Sequence, residues 1–126
     1  MENRKEGKLS GKIIGCAIEV HRQLGPGLLE SVYEECLCFE LKNSGLTVAR
    51  QHQVSLQYKQ QLLESKLRVD LLVNDEIIVE LKSVKRLEPI HEAQFLTYLK
   101  LTNKKYGLLI NFNTNMLKQG IKRLVN

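Results

Sequence analysis

The sequence predicts an α/β fold in which a central mixed β-sheet of about four to five strands is flanked by helices. Three observations lead there. Two segments of helical period open the chain, and short β-branched and leucine-rich runs bounded by turn formers follow them. A further helical segment separates the third of these runs from a fourth, a connection long enough for the fourth strand to run parallel to a neighbour. The length of 126 residues is one domain's worth, and a 43% hydrophobic fraction is ordinary for a soluble globular chain.

In order along the chain, Ser10 is placed to cap a helix whose apolar stripe is Ile14, Ala17, Ile18 and His21. Gly25-Pro26-Gly27 breaks it. A second helix is expected over residues 28–43, with Leu29, Val32, Cys36, Leu37 and Leu41 toward the core and Gly45 as its stop. Val54, Leu56 and Tyr58 alternate with polar residues as a half-buried strand turning at Lys59-Gln60-Gln61. Val69-Asp70-Leu71-Leu72-Val73 and Ile77-Ile78-Val79-Glu80-Leu81 read as buried strands. Pro89 opens a third helix to Leu101, residues 106–112 form another buried strand, and residues 117–125 suit either a helix or a strand. No internal repeat, low-complexity stretch or long linker interrupts the chain.

Side-chain alternation specifies how the two central runs pair. Val69, Leu71 and Val73 share one face of the first strand, and Ile77, Val79 and Leu81 share one face of the second. A two-residue turn at Asn74-Asp75 would pair Val73 with Glu76 and turn one apolar set outward. A three-residue loop, Asn74-Asp75-Glu76, pairs Val73 with Ile77 and therefore Asp70 with Glu80. Packing and chemistry then ask for the same register.

An isolated Asp, Glu and Lys inside buried strands are costly unless they pair or bind a cation. Asp70, Glu80 and Lys82 together supply two carboxylates and an amine, the ligands and proton-handling group of a Mg²⁺-dependent phosphodiesterase site. A plain ion pair of Lys82 with one of the acids at a sheet edge is the alternative. Two carboxylates that close repel, and without a partner one of them holds a proton.

Charge is unevenly distributed. Residues 1–81 carry ten basic and twelve acidic side chains, whereas residues 82–126 carry nine basic and two acidic. Lys82, Lys85, Arg86, Lys100, Lys104, Lys105, Lys118, Lys122 and Arg123 thus give the last third a positive bias. That bias suits a polyanion such as nucleic acid, and equally suits a solvated surface. If it serves a polyanion, the six from Lys100 to Arg123 should lie in part on the rim of the Asp70–Glu80 cleft. No run approaches the ~20 apolar residues of a membrane span and no secretory signal opens the chain, so no membrane partner and a cytoplasmic location are expected. Cys16, Cys36 and Cys38 lack metal-site or disulfide spacing and read as buried free thiols. No phosphate-binding loop, serine-nucleophile elbow or dinucleotide fingerprint is present.

Gly27-Leu28-Leu29-Glu30-Ser31-Val32-Tyr33 spells G-x-x-E-x-x-Y, and with it the chain resembles the GxxExxY protein family of the PD-(D/E)XK nuclease superfamily, nearest its RecB-like branch. The resemblance extends through Glu19-Val20-His21, Gly25-Pro26-Gly27, Arg68-Val69-Asp70-Leu71-Leu72-Val73, Glu80-Leu81-Lys82, Gln94-x-x-x-Tyr98, Leu109-Ile110-Asn111-Phe112 and Gly120-Ile121-Lys122-Arg123. It implies a restriction-endonuclease-like core and a Mg²⁺- or Mn²⁺-dependent nuclease acting on nucleic acid, DNA in preference to RNA. A non-catalytic nucleic-acid-binding or protein-interaction module that retains the fold is the alternative. By resemblance, Asp70 and Glu80 are metal ligands, and Glu30 reaches the same ion directly or through water. Lys82 orients or deprotonates the attacking water, Gln94 supports the site, and Tyr98 contacts nucleic acid, with Arg68, Lys100, Lys122 and Arg123 as further contacts. Ordinary structural roles compete with several of these. The helix macrodipole favours Glu30 in a first turn, and Tyr98 suits packing with Leu101. Tyr33 suits packing with a satisfied hydroxyl, His21 suits a core histidine, His91 is a candidate to touch substrate, and His52 suits the surface. A homodimer or a protein partner is left open.

Overall fold

The computed structural model describes residues 4–126, and side-chain surroundings from residue 7 onward. Helices α1 (Arg4–Leu24) and α2 (Glu30–Asn43) precede strands β1 (Val48–Tyr58), β2 (Gln61–Val73) and β3 (Ile77–Lys82). Helix α3 (Pro89–Leu101), β4 (Tyr106–Asn111), a 3-10 helix (Leu117–Gly120) and β5 (Ile121–Val125) complete the fold. The five strands lie in sequence order in one mixed sheet, with β3 and β4 parallel and every other neighbouring pair antiparallel. The α/β class with a restriction-endonuclease-like core is therefore what the chain adopts. The ambiguous tail is both things in turn: one turn of 3-10 helix, then a strand.

Two cores sandwich the sheet. Leu71, Val73, Ile77, Val79, Leu81, Leu108 and Ile110 pack against Ile13, Ala17 and Val20 of α1 and Tyr33, Leu37 and Leu41 of α2. On the opposite face Leu72, Ile78 and Leu109 pack against Phe95 and Leu99 of α3. Near-continuous apolar runs in β3 and β4 explain this, because strands buried on both faces need apolar residues at nearly every position.

Several boundaries differ from the sequence expectation. Helix α1 begins at Arg4 rather than near Ser10, whose Oγ donates to the Gly7 carbonyl (3.2 Å) from within the helix. In α2 the buried stripe is Tyr33, Leu37 and Leu41, whereas Leu29 is 74% exposed and Val32 is also exposed. The helix carries two apolar stripes, and the one holding the aromatic ring goes inward: Tyr33 stacks on Phe112 with ring centroids 4.4 Å apart. Gly45, at φ +82, ends α2 with Leu46 N–H bonded to the Leu41 carbonyl and Gly45 N–H to that of Lys42, as expected of a glycine stop. Strands β1 and β2 extend well beyond the sheet as an arm closed by Lys59-Gln60, both in the left-handed region. The three cysteines are free, with Cys16 and Cys38 buried and Cys36 half-buried.

The central register is the expected one: Val73 pairs with Ile77, Leu72 with Ile78 and Leu71 with Val79. Asn74 and Asp75 take left-handed backbone, Glu76 N–H bonds to the Val73 carbonyl (3.0 Å), and the loop has three residues. One side chain departs from the pattern. Val69 packs with Leu72 and Ile78 on the α3 face, not with Leu71 and Val73. The cause lies in the neighbouring strand, where Arg50 pairs with Leu71 and His52 with Val69 but Gln51, at φ +49, makes no ladder pair with Asp70. The kink turns both strands over at that point, as bulges do.

Close approach of α3 to β4 depends on Gly107, where a Cβ would sit 2.5 Å from Cζ of Phe95 and 3.0 Å from Cδ2 of Leu99. Gly107→Ala should therefore push α3 off the sheet and destabilise the fold by about 1–3 kcal/mol. Urea unfolding followed by circular dichroism checks this: a lowered midpoint at unchanged slope is expected, and an unchanged midpoint would contradict the packing described.

Candidate metal and active site

Beyond Leu71 and Val79 the backbone ladder between β2 and β3 stops, and the two strands are joined instead through their carboxylates. The Asp70 N–H donates to Glu80 Oε1 (2.9 Å), and the Leu81 N–H donates to Asp70 Oδ2 (2.9 Å). Each acid thus satisfies a backbone donor of the opposite strand that the parting of the strands would leave unpaired. Lys82 follows two residues after Glu80 on the same strand, half-buried, and its charge favours the ionised form of both acids. The expected juxtaposition of Asp70, Glu80 and Lys82 is realised.

Burial makes that juxtaposition expensive. Glu80 is only 8% exposed. Desolvation, reinforced by the charge of Asp70, pushes its carboxyl from the ordinary 4.5 up to about 8. Asp70 is also raised, chiefly by burial; hydrogen bonds from Leu81 and Gln51 oppose the shift, Glu30 adds to it and Lys82 reduces it. Tyr98 is raised as well, by burial first and then by the charges of Glu80 and Asp70, which puts its ring in the field of the same acids.

The surrounding elements converge on this point for identifiable reasons. Gly27, at φ +97, completes the turn into α2. Tyr33 Oη donates to the Gly25 carbonyl (2.6 Å) and accepts from the Leu28 N–H (3.1 Å), so the last residue of the G-x-x-E-x-x-Y string pins the loop that precedes its glutamate. Ser83 Oγ, just past Lys82, donates to the Leu28 carbonyl (2.6 Å) and ties that loop to the end of β3. Buried Asn111 holds the segment after Lys82 from the other side: its Oδ1 accepts from Val84 N–H (3.0 Å) and Asn113 N–H (3.2 Å), and its Nδ2 donates to the Val84 carbonyl (2.9 Å). The carboxyl ends of the parallel pair β3 and β4 therefore meet the amino end of α2, the kind of place where open α/β sheets bind ligands.

Glu30 is the exposed first residue of α2, close enough for its charge to act on Asp70. Among the described residues no group of three or more His, Cys, Asp or Glu side chains is gathered to hold a metal ion, so Glu30 does not complete a three-ligand cluster. Gln94 is exposed one helical turn before the half-buried Tyr98 on α3. Of the basic residues, Lys122 lies in the same sheet row as Glu80 and Leu109, on the α3 face. Arg123 lies in the row of Val79 and Leu108 and so on the α1–α2 face. Arg68, Lys100, Lys105 and Lys118 are exposed. Lys104 is bound to the carbonyl and carboxylate of Asp75 in the β2–β3 loop, and Lys104 and Lys105 precede β4, so both sit at the end of the sheet away from Lys82. They do not rim the cleft.

Two of the three histidines have structural work. His21 Nε2 is 2.8 Å from the Thr114 carbonyl. His91, a candidate to touch substrate, instead caps α3: its Nδ1 accepts the Glu88 N–H (2.8 Å). Sequence reasoning missed one neighbour of Asp70 and the residue that anchors it. Gln51 Nε2 donates to Asp70 Oδ1 (3.4 Å) and to Glu34 Oε1, and buried Glu34 accepts at Oε2 from Arg50 Nε (3.1 Å) and Nη2 (3.0 Å). The signal that existed was Glu34 itself, a carboxylate four residues after Glu30 and therefore on the same helical face.

The residues fit a hard divalent cation. Mg²⁺ keeps several waters and takes one or two protein carboxylates, the number Asp70 and Glu80 supply. Both carboxyls are raised, by burial first, a shift that a bound cation would oppose. A consequence follows for pH. Between about 4.5 and about 8 the folded protein holds a proton at Glu80 that the unfolded chain has released. Metal-free stability should therefore fall as pH rises through that window. Thermal melts in chelator across that range are expected to show the decline, and Glu80→Gln is expected to flatten it. A wild-type melting temperature that rises over the window would contradict the raised carboxyl.

No curated protein and no solved structure matches the chain. The profile of the PDDEXK_3 family, PD-(D/E)XK nuclease superfamily, matches residues 7–124. That span takes in both carboxylate strands, Lys82, the α2 loop and the crossover helix. The chain is a member of the PD-(D/E)XK nuclease superfamily.

Proposed function

We propose that the protein is a Mg²⁺- or Mn²⁺-dependent nuclease of the GxxExxY family that hydrolyses phosphodiester bonds of nucleic acid, DNA in preference to RNA, with water as nucleophile. One observation carries the reading: Asp70 and Glu80 are locked together by reciprocal backbone bonds in a desolvated place that disfavours their charge, with Lys82 beside them. A cation is the partner that such a pair calls for. Asp70 and Glu80 would hold it, with Glu30 reaching it through water from the amino end of α2. When bound, it neutralises charge on the phosphate and acidifies water.

The chain's own groups do the rest. Lys82 orients the attacking water, takes part in removing its proton and meets the charge that builds on the phosphate oxygens. Tyr98, within reach of the charge of both acids, suits contact with the nucleic-acid strand, with exposed Gln94 one turn away supporting the site. Lys122 on the same face and Arg68 two residues before Asp70 add positive charge along the path of a polyanion, whereas Lys100, in the last turn of α3 toward the end where Lys104 sits, adds to the overall field. Arg123, on the opposite face, contributes only to the overall field.

A second reading, a non-catalytic module that binds nucleic acid or protein, draws on one observation. Both acids already do structural work as acceptors for backbone N–H groups, and no third ligand joins them among the described residues. Cleavage assays on DNA and RNA with Mg²⁺ or Mn²⁺, paired with thermal melts with and without the ion, separate the two. Lys82→Ala should keep the Mn²⁺-dependent rise in melting temperature and lose on the order of 10²-fold or more in rate. Glu80→Gln should lose both. A wild-type protein that cuts nothing and shows no ion-dependent shift would overturn the nuclease reading in favour of the module.

A further inference from the structure

Gln51 occupies an unusual backbone. At φ +49 it sits in the left-handed region, where glycine and asparagine are at ease and glutamine gains nothing locally. Such a residue persists only where its surroundings hold it. Here the surroundings are two carboxylates on different elements: its amide nitrogen donates to Glu34 Oε1 on α2 and to Asp70 Oδ1 on β2. Two acceptors flanking one amide fix which way it faces, because the flipped amide would set its oxygen against both acids. Glu34 is buried and is itself held by Arg50 through Oε2, so the anchor cannot rotate away.

We propose that Gln51 is a positioning residue that, braced by the Glu34–Arg50 pair, fixes the plane of the Asp70 carboxylate for cation binding. The inference rests on the metal-dependent reading given above. Asp70 Oδ2 is restrained by the Leu81 N–H and Oδ1 by Gln51, and two restraints on one carboxylate leave it a single orientation. The same brace links Asp70 to α2 one turn after Glu30, so the helix that carries Glu30 and the strand that carries Asp70 are held in one frame. Groups of this kind, hydrogen-bonded to a ligand and not to the ion, are worth about 10–100-fold in metal affinity.

Gln51→Gly keeps the left-handed backbone and removes the bridge; Gln51→Asn keeps both the backbone and the amide but is one methylene too short. Three quantities are read in the whole 126-residue chain: melting temperature in chelator, exchange of the Leu81 amide in chelator, and Mn²⁺ affinity by calorimetry. Gln51→Gly, which sheds the left-handed strain as it loses the bridge, is expected to melt close to wild type, and both variants are expected to exchange Leu81 faster and to bind Mn²⁺ about 10-fold or more weakly. A role in strain or folding alone would move the melting temperature and leave affinity intact. Unchanged Mn²⁺ affinity in both variants, beside a wild type that binds, overturns this inference and leaves the nuclease reading standing. A wild type that binds no Mn²⁺ overturns that reading and this inference with it.

Discussion

Where β2 and β3 part, two backbone N–H groups lose their ladder partners, and the chain satisfies them with the side chains of Asp70 and Glu80. Much of the rest is arranged around that exchange. It fixes the distance between the acids without a metal, because each is hydrogen-bonded to the other's strand. It also keeps them in a partly dehydrated place, which raises both carboxyls. The pair is held together by the backbone and pushed apart by charge. Under the proposed metal-dependent reading, a cation would relieve that repulsion without disturbing the hydrogen bonds that hold the geometry.

The flanking elements keep this point accessible while fixing its sides. Tyr33 and Ser83 secure the loop before α2 against the end of β3, and Asn111 clamps the chain that follows Lys82. Gly107 lets α3 lie close enough to the sheet for Tyr98 to feel both acids. None of these contacts touches the carboxylates directly, yet each decides how the three elements meet. No helix among the described residues is long and apolar enough to cross a membrane.

Period-two alternation made the register of β2 and β3 legible, because only one loop length lets both apolar sets reach one core. It failed at Val69. The strand turns over at Asp70 through a kink in β1, and Gln51 in β1 is held by Glu34 on α2, an element far away in sequence. Nothing local to residues 69–73 could report that. Helix α2 shows the same limit: the stripes through Leu29, Val32 and Cys36 and through Tyr33, Leu37 and Leu41 both have helical spacing. The choice between them was made by stacking of Tyr33 on Phe112. The candidate site was legible as residue types on strands, Asp70, Glu80 and Lys82. Its support was not, because Gln51, Glu34 and Asn111 act through tertiary contacts that carry no spacing rule.

With its carboxyl raised by burial and by the charge of Asp70, Glu80 keeps a proton near neutrality in the metal-free protein, and under the proposed reading a cation displaces it. Calorimetric titration of Mn²⁺ into the protein at pH 7, repeated in buffers of different ionisation enthalpy, counts that proton directly, because ligands must be deprotonated to bind. With the Glu80 carboxyl pushed up to about 8, binding is expected to release close to one proton per ion at pH 7, with release vanishing well above pH 8. Binding without proton release at pH 7, or no binding at all, would contradict the account.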